Sequence, residues 1–300
     1  MTIFLLMIAA QASATEFRLE RTNWFITLGK EQFTLRIEGS DLAEGDYSKG
    51  VAKFGDLYFY FDAPSLNYVA KSRSFEDEQK IFDDAHEKNC RVKFETLTER
   101  DKDIVMNLFP EKFSVEGSRD YAEYVYRVEK LASLRGGELA KKRNNIHKFF
   151  RDYEGRYKVE KISPEYFDGI KKFQSEWLAH KNSIDTDPVH QAQLNFENEE
   201  IQIILNNFER LCLTGIVFLI DGKLKGYVIG SPLSENCVDE IINKGDRNIP
   251  NISRMLVHEF VKICCAGYEY INREEDLGVE GLRQIKTDYK PDFMVNKFIL

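Results

Sequence analysis

The segment that decides the fold is residues 215–242, GIVFLIDGKLKGYVIGSPLSENCVDEII. Two β-branched and aromatic runs, 215–220 and 224–229, flank an Asp-Gly pair at 221–222. A two-residue Asp-Gly turn between such runs predicts a β-hairpin. A third run at 238–242 extends the hairpin, so the middle of this half predicts three consecutive antiparallel strands.

Helices and further strands surround this meander along the chain. Ser163-Pro164 and Asp187-Pro188 each place an N-cap residue ahead of a proline, which predicts that two helices begin there. The other predicted elements are strands at 157–162, 268–271 and from 293 onward, and helices at 136–150, 252–264 and 280–289. From residue 156 onward this order is that of the acetyltransferase-like (GNAT) fold.

The first part of the chain predicts a shortened copy of the same order. Residues 23–126 indicate strands at 24–27, 32–37 and 57–61, a helix at 74–86, a strand at 92–94, a helix from 98 and a strand at 121–126, without the leading helix pair. We therefore expect an α/β (α+β) fold of tandem GNAT-like domains, with mixed sheets flanked by helices. The predicted domains are residues 1–128, incomplete at its start, and residues 129–300, which carries the candidate site.

The charge balance excludes a protein that binds nucleic acid through bulk charge. The 300 residues include 42 Lys and Arg and 50 Asp and Glu, a net charge of −8. Any contact with nucleic acid therefore needs a local basic patch. The five cysteines are odd in number and contain no CxxC spacing, which disfavours a disulfide framework and a thiolate zinc site.

The hydropathy pattern predicts no transmembrane segment, because no apolar run approaches the roughly 18 residues needed to cross a bilayer. Residues 3–10 are apolar and precede Ala12-Ser13-Ala14, a pattern similar to a signal peptide with its cleavage site. No Lys or Arg precedes that apolar run. We therefore expect a cytoplasmic protein, with secretion as the alternative.

A basic helix supplies the first candidate binding residues. On a helical period, the stripe through Leu139 and Ile146 also passes through Lys142 and Arg143. A cation on a buried line must be paired or must line a cavity that an anion enters. The alternative is a solvated basic face in which Arg143 pairs with a structural carboxylate.

The last helix repeats this pattern beside an acidic strand end. Lys286 lies within an apolar line formed by Leu282, Ile285 and Tyr289. The run Asn272-Arg273-Glu274-Glu275-Asp276 follows a predicted strand, at the carboxyl end where open α/β sheets bind ligands. The alternative for the acidic residues is helix capping, with Asp276 as the N-cap.

Several catalytic signatures are missing. Lys262 interrupts an HExxH pattern, the five histidines show no ligand spacing, and GxSxG, Walker A and GxGxxG motifs are absent. We expect no metal and no cofactor. In acetyl-CoA enzymes of this fold a glycine-rich turn cradles the pyrophosphate at a helix N-terminus. The equivalent turn, 246–253, lacks glycine and contains Pro250, which has no N–H, so acetyl-CoA is the less favoured donor.

Two long motifs resemble the DUF2156 family, which is similar to the C-terminal domain of phosphatidylglycerol lysyltransferases. They are 131–149, with Lys-Arg-Asn at its centre, and 270–291, YINREEDLGVEGLRQIKTDYKP. The resemblance implies a transferase related to the Fem-type enzymes, which moves an aminoacyl group from aminoacyl-tRNA to an amine or a lipid hydroxyl. It implies tRNA and an amine or lipid-headgroup acceptor as partners. Its motif residues here are Lys142, Arg143, Asn144, Asn272, Arg273, Glu275, Asp276, Arg283, Lys286 and Tyr289.

The residue types suggest roles within an acyl transfer. Lys142 and Arg143 would hold the donor's phosphates. Lys286 or Arg283 would stabilise the developing oxyanion, and Glu275 or Asp276 would orient or deprotonate the acceptor. Asn144, Asn272, Arg273 and Tyr289 are predicted to bind substrate.

This chain departs from the family pattern at a few positions. It has Asn145 and His147 where relatives show His then Asn, and Asn243 where they show glutamate. These differences favour a second hypothesis, a non-catalytic module that binds tRNA or a lipid headgroup. A third hypothesis is an acetyl-CoA-dependent N-acetyltransferase.

Overall fold

The computed structural model describes residues 97–184 and 188–300, together with the backbone of six strands between residues 24 and 94. These strands are β1 (Trp24–Leu28), β2 (Phe33–Ile37), β3 (Gly50–Phe54), β4 (Leu57–Asp62), β5 (Ser65–Ala70) and β6 (Arg91–Phe94). β1 pairs with β2, and β3 to β6 form a separate sheet. The sequence did not predict β3 and β5, because Gly, Ala, Asn and Lys are poor strand formers. The predicted helix at 74–86 lies outside the described residues.

The rest of the chain contains seven helices and seven strands among the residues described from 97 onward. They are α1 (Glu99–Leu108), β7 (Glu116–Arg127), α2 (Val128–Ser133), α3 (Ala140–Asp152), β8 (Tyr157–Lys161), α4 (Phe167–Ile184), α5 (Pro188–Asn206), β9 (Thr214–Ile220), β10 (Lys223–Ser234), β11 (Cys237–Gly245), α6 (Ile252–Cys264), β12 (Tyr270–Asn272), α7 (Glu280–Asp288) and β13 (Phe293–Ile299). A short 3-10 turn, Pro164–Tyr166, leads into α4.

The predicted meander is confirmed as β9, β10 and β11. Ile220 pairs with Lys223 across the turn, and Asp221 and Gly222 both have positive φ, 51° and 73°. Positive φ at both central residues is what a type I′ hairpin turn requires, and Asp-Gly adopts it at low cost.

The seven-stranded sheet has the order β13-β7-β12-β11-β10-β9-β8. β11 and β12 run parallel, and their pairing ends at Asp239 opposite Asn272. β11 nevertheless continues to Gly245 along β10. The ladder between β11 and β12 is therefore short, and the side chains that follow Asp239 and Asn272 span the place where it stops.

Helices cover both faces of this sheet. Val228 of β10 belongs to a core cluster with Leu256 and Phe260 of α6, whereas the ring of Tyr227 lies 6.0 Å from Phe173 of α4. Since successive strand residues point to opposite faces, α4 and α6 lie on opposite sides. This mixed α/β arrangement, a sheet flanked by helices, is the predicted fold class.

The chain divides into two compact units. The described residues of one unit are Glu123–Met294, and those of the other lie up to Ala122 and in Val295–Leu300. The chain thus changes unit within β7 and again within β13. In the second unit, the backbone of Leu97 exchanges two hydrogen bonds with Phe298, at 3.0 and 2.8 Å.

Candidate active site

The acidic run after β12 forms a strained turn. The side-chain oxygen of Asn272 accepts the N–H of Glu274 at 2.9 Å, and Glu274 takes a left-handed backbone conformation with φ 55°. A non-glycine residue in this region costs about 1–3 kcal/mol and persists only where its surroundings hold it. Backbone hydrogen bonds with Tyr124 of β7 hold the turn: Arg273 N–H donates at 2.9 Å and Glu274 C=O accepts at 3.2 Å.

A buried ion pair crosses from this turn to β11. Arg273 donates from Nε and Nη2 to the two carboxylate oxygens of Glu240, each at 2.9 Å, and both side chains are almost fully buried. Asn243 also donates to Glu240, at 3.0 Å. The Nη1 atom of Arg273 is buried and has no hydrogen-bond partner.

Asp276 is a fully buried anchor. Its carboxylate accepts hydrogen bonds from the Tyr124 hydroxyl, from Nε and Nη2 of Arg283 and from the N–H of Gly278. Although burial raises the pKa of Asp276, the bonds from Arg283 and Tyr124 outweigh it and lower the pKa to about 2. A carboxylate held this firmly is a weak base, so the geometry favours an anchoring role over the predicted deprotonating one. The residue that precedes α7 is Val279, so Asp276 is not its N-cap.

Lys286 lies at the centre of the candidate site. Its ammonium donates to the carbonyl oxygen of Arg273 at 2.5 Å and to that of Glu275, and it lies 5.8 Å from the ring centroid of Tyr124. Burial and the charge of Arg273 lower the pKa of Lys286. The predicted proximity of Lys286 to the acidic turn is therefore observed.

The last helix buries its cations and exposes part of its predicted apolar line. Leu282 and Ile285 were expected on the buried line, but they are 42% and 43% exposed. Lys286 lies on the inward side as predicted and Arg283 joins it there, because two backbone carbonyls and Asp276 accept their hydrogen bonds. Tyr289, which follows the helix, is buried as predicted.

The basic helix α3 reaches the same place through Lys142. This lysine is 7% exposed, like its neighbours on the buried stripe, and its ammonium lies 3.6 Å from Asp288 and 5.2 Å from the Tyr289 ring. Burial lowers the pKa of Lys142. The prediction that the stripe passes through a buried cation is confirmed for this residue.

Arg143 and Asn144 are placed differently. Arg143 donates from Nη1 to the carbonyl oxygens of Leu134 at 2.6 Å and Gly136 at 3.3 Å, and so fixes the connection between α2 and α3. Asn144 is exposed on the surface of α3. The structure brings Lys142, Arg273, Lys286 and Tyr289 together, whereas Arg143 donates hydrogen bonds to backbone carbonyl oxygens.

Sequence reasoning assigned no role to three buried carboxyl groups, those of Asp239, Glu240 and Glu274. Glu274 is 8% exposed with one oxygen that has no partner, and Asp239 is completely buried with neither oxygen partnered. Burial raises the pKa of Glu274 to about 8 and raises that of Asp239 well above its usual value. The available signal was the Asp-Glu pair at 239–240 inside an apolar strand, where charged residues need a reason to be buried.

Replacing Glu274 with glutamine is expected to flatten the pH dependence of stability. The folded pKa of about 8 exceeds the ordinary value of 4.5, so the folded protein keeps a proton that the unfolded chain has lost. The free energy of unfolding then falls as the pH rises between these values, by up to about 1.4 kcal/mol per pH unit. Urea unfolding at several pH values measures this slope.

Glu235→Gln is the matched control, because Glu235 is exposed in the β10–β11 connection. Its profile should run parallel to that of the unmodified protein. If the Glu274→Gln profile is also parallel, the Glu274 carboxyl group titrates normally and is not held in its neutral form by burial.

Comparison with known proteins places the chain in a family. Residues 76–300 match the model of the family "Phosphatidylglycerol lysyltransferase, C-terminal". The chain belongs to this family, which confirms the resemblance in its two motifs.

Solved structures and a curated protein are similar to this chain. A conserved protein of unknown function from Bacteroides thetaiotaomicron is 27% identical with a TM-score of 0.76, over 84% of this chain and 85% of that one. L-PGS from Bacillus licheniformis has the same fold, with 16% identity and a TM-score of 0.59 over 84% and 83%. An uncharacterized protein of Mycoplasmoides gallisepticum is 24% identical over 59% of this chain. The matched region spans 55% of the length of that relative.

Proposed function

We propose that this protein transfers an aminoacyl group from aminoacyl-tRNA to an amine or a lipid hydroxyl, as a phosphatidylglycerol lysyltransferase-like enzyme. The observation that carries the proposal is the position of the Lys286 ammonium. Two backbone carbonyls fix it beside the strained acidic turn, so two of its three N–H donors are used. The third donor is available to an oxygen that becomes negative during acyl transfer.

The reaction follows from these groups. The acceptor amine or hydroxyl attacks the carbonyl carbon of the aminoacyl ester, and the carbonyl electrons move to oxygen, where the Lys286 ammonium stabilises the charge. The tetrahedral intermediate collapses, breaks the ester bond and releases the ribose hydroxyl of the tRNA, which takes up a proton. Glu274 or Glu275 accepts the acceptor's proton and returns it to the leaving oxygen. A carboxyl group with a pKa of about 8 is matched to this exchange near neutral pH.

The turn before α6 supports an ester donor other than acyl-CoA. Asp246 accepts the N–H groups of Asn248 and Ile249 at 3.0 Å each, and Pro250 has none to offer. The same turn carries the carboxylate of Asp246, which ion-pairs with Lys225 at 2.9 Å. A pyrophosphate bound here would meet a negative charge and few free N–H groups.

The donor would be held through its phosphates. Lys142 and Arg143 are proposed to bind the donor's phosphates. Lys142 is the stronger candidate, because Arg143 already donates to two backbone carbonyl oxygens. No helix in the part of the chain that the structure describes is both long and apolar enough to cross a bilayer.

A substrate panel tests the proposal. Purified protein is incubated with charged tRNA, labelled in the aminoacyl group, and with either phosphatidylglycerol vesicles or free amines. Label is expected to move to one acceptor class, and titration of acetyl-CoA is expected to give no heat. Tight binding of charged tRNA without transfer would instead support the non-catalytic module, and acetyl transfer from acetyl-CoA would overturn the proposal.

A further inference from the structure

We propose that Lys142, Arg273 and Tyr289 form a binding site for a phosphate group, and that Asp288 forms an ion pair with Lys142 while no phosphate is bound. The first observation is a pair of buried donors without partners. Nη1 of Arg273 and the hydroxyl of Tyr289 have no hydrogen-bond partner, although these residues are only 7% and 2% exposed. A buried donor without a partner destabilises the folded protein, so a group that accepts both bonds is favoured.

Two cations and a second aromatic ring lie next to the ring of Tyr289. The guanidinium carbon of Arg273 lies 5.5 Å from the ring centroid of Tyr289, and the ammonium of Lys142 lies 5.2 Å from the same centroid. Tyr126 packs edge-on against Tyr289 at 6.5 Å. The cations of Arg273 and Lys142 therefore both lie beside the ring that carries the Tyr289 hydroxyl.

The local charge favours an anion. The charges that act most strongly on Lys142 and Tyr289 include the cations Arg254, Arg273 and Lys290 and the carboxylates Glu240 and Asp288. Glu240 is already fully used by Arg273. Asp288 is therefore the carboxylate left to balance Lys142, and the site has an excess of positive charge.

Asp288 is a weak occupant of this site. Its side chain is 52% exposed and lies 3.6 Å from the Lys142 ammonium, at the long end of ion-pair distances. Solvent at the half-exposed carboxylate of Asp288 screens and so weakens the pair. A phosphate can displace the carboxylate, because its oxygens point in several directions and can accept bonds from Arg, Lys and Tyr donors at once.

The position of the site links it to the candidate active site. Arg273 offers its carbonyl oxygen to Lys286 at 2.5 Å, and Tyr289 donates its N–H to the carbonyl oxygen of Lys286 at 3.1 Å. A phosphate held by the side chains of Arg273 and Tyr289 therefore lies close to the group that would stabilise the oxyanion. This link rests on the proposed function; the phosphate site itself rests on the donors and their charge.

Calorimetric titration with phosphate compounds at constant ionic strength tests the proposal. The probes are inorganic phosphate, glycerophosphoglycerol as the headgroup diester, and adenosine monophosphate, with chloride as the reference anion. Asp288→Asn is expected to tighten binding about threefold to tenfold, because it removes the competing carboxylate. Lys142→Gln is expected to weaken it about tenfold or more, and Tyr289→Phe by about fivefold. Lys141→Gln, an exposed neighbour on α3, should change nothing.

The pattern of the variants decides the outcome. Opposite effects of Asp288→Asn and Lys142→Gln support the site, and the probe that binds best shows whether a headgroup or a nucleotide supplies the phosphate. Weaker or unchanged binding in Asp288→Asn, or equal effects of Lys141→Gln and Lys142→Gln, overturns it. Phosphate binding with this pattern but no aminoacyl transfer would retain the site and reject the function. Aminoacyl transfer at an unchanged rate in these variants would retain the proposed function and reject the phosphate site.

Discussion

Replacing Lys286 with methionine is expected to lower the rate of aminoacyl transfer by about a hundredfold to a thousandfold. This is the usual effect of removing one donor that stabilises a developing oxyanion. Methionine keeps most of the side-chain volume but cannot donate to an oxygen. The measurement is the single-turnover rate with labelled charged tRNA, at saturating protein, so that a change in binding does not enter the comparison.

Stability must be followed in the same variant. The substitution leaves the carbonyl oxygens of Arg273 and Glu275 without their donor, which is expected to cost about 1–3 kcal/mol. Circular dichroism and urea unfolding show whether the variant is still folded at the assay temperature. Lys172→Met, an exposed lysine on α4, is the matched control. An unchanged rate in a folded Lys286→Met variant would exclude Lys286 from the chemistry.

Replacing Asp276 with alanine is expected to destabilise the protein by about 1–3 kcal/mol, the cost of leaving buried hydrogen-bond donors without their acceptor. The Tyr124 hydroxyl and the Arg283 guanidinium would lose their acceptor at once. Because the folded pKa of about 2 lies below the ordinary value of 3.8, this contribution is present above that ordinary value. It is lost as the pH falls toward the folded pKa.

Urea unfolding at neutral and acidic pH tests this expectation. The difference between the unmodified protein and Asp276→Ala should be large at neutral pH and smaller in acid. Asp152→Ala removes a carboxylate from an exposed ion pair with Lys148 and should cost less than about 1 kcal/mol. Equal effects of the two substitutions would show that the contacts of Asp276 contribute little to stability.

The meander and its neighbouring helices could be predicted because their signals are local. Asp221-Gly222 needs only its own backbone preferences to form the turn, and Pro164 and Pro188 mark the positions at which helices begin. The orientation of α7 could not be predicted in this way. Its apolar residues and its cations lie on interleaved lines, and the buried partners that draw Arg283 and Lys286 inward come from residues distant in the sequence.

The candidate site could also be predicted only in part. The two motifs identified Lys142, Arg273, Lys286 and Tyr289, which the structure brings together. Asp239 and Glu240 were missed, because their importance depends on where β11 and β12 cease to pair. That point is set by long-range packing and has no counterpart in the spacing of residues along one strand.

The division of β13 between the two units has a consequence for how the protein is made. Residues 295–300 belong to the unit formed otherwise by residues before Glu123, and Phe298 completes hydrogen bonds with Leu97 there. Domains fold during synthesis from the N-terminal end. Most of this unit is translated first, but it cannot be completed until the other unit has been synthesised, because residues 295–300 follow that unit in the chain.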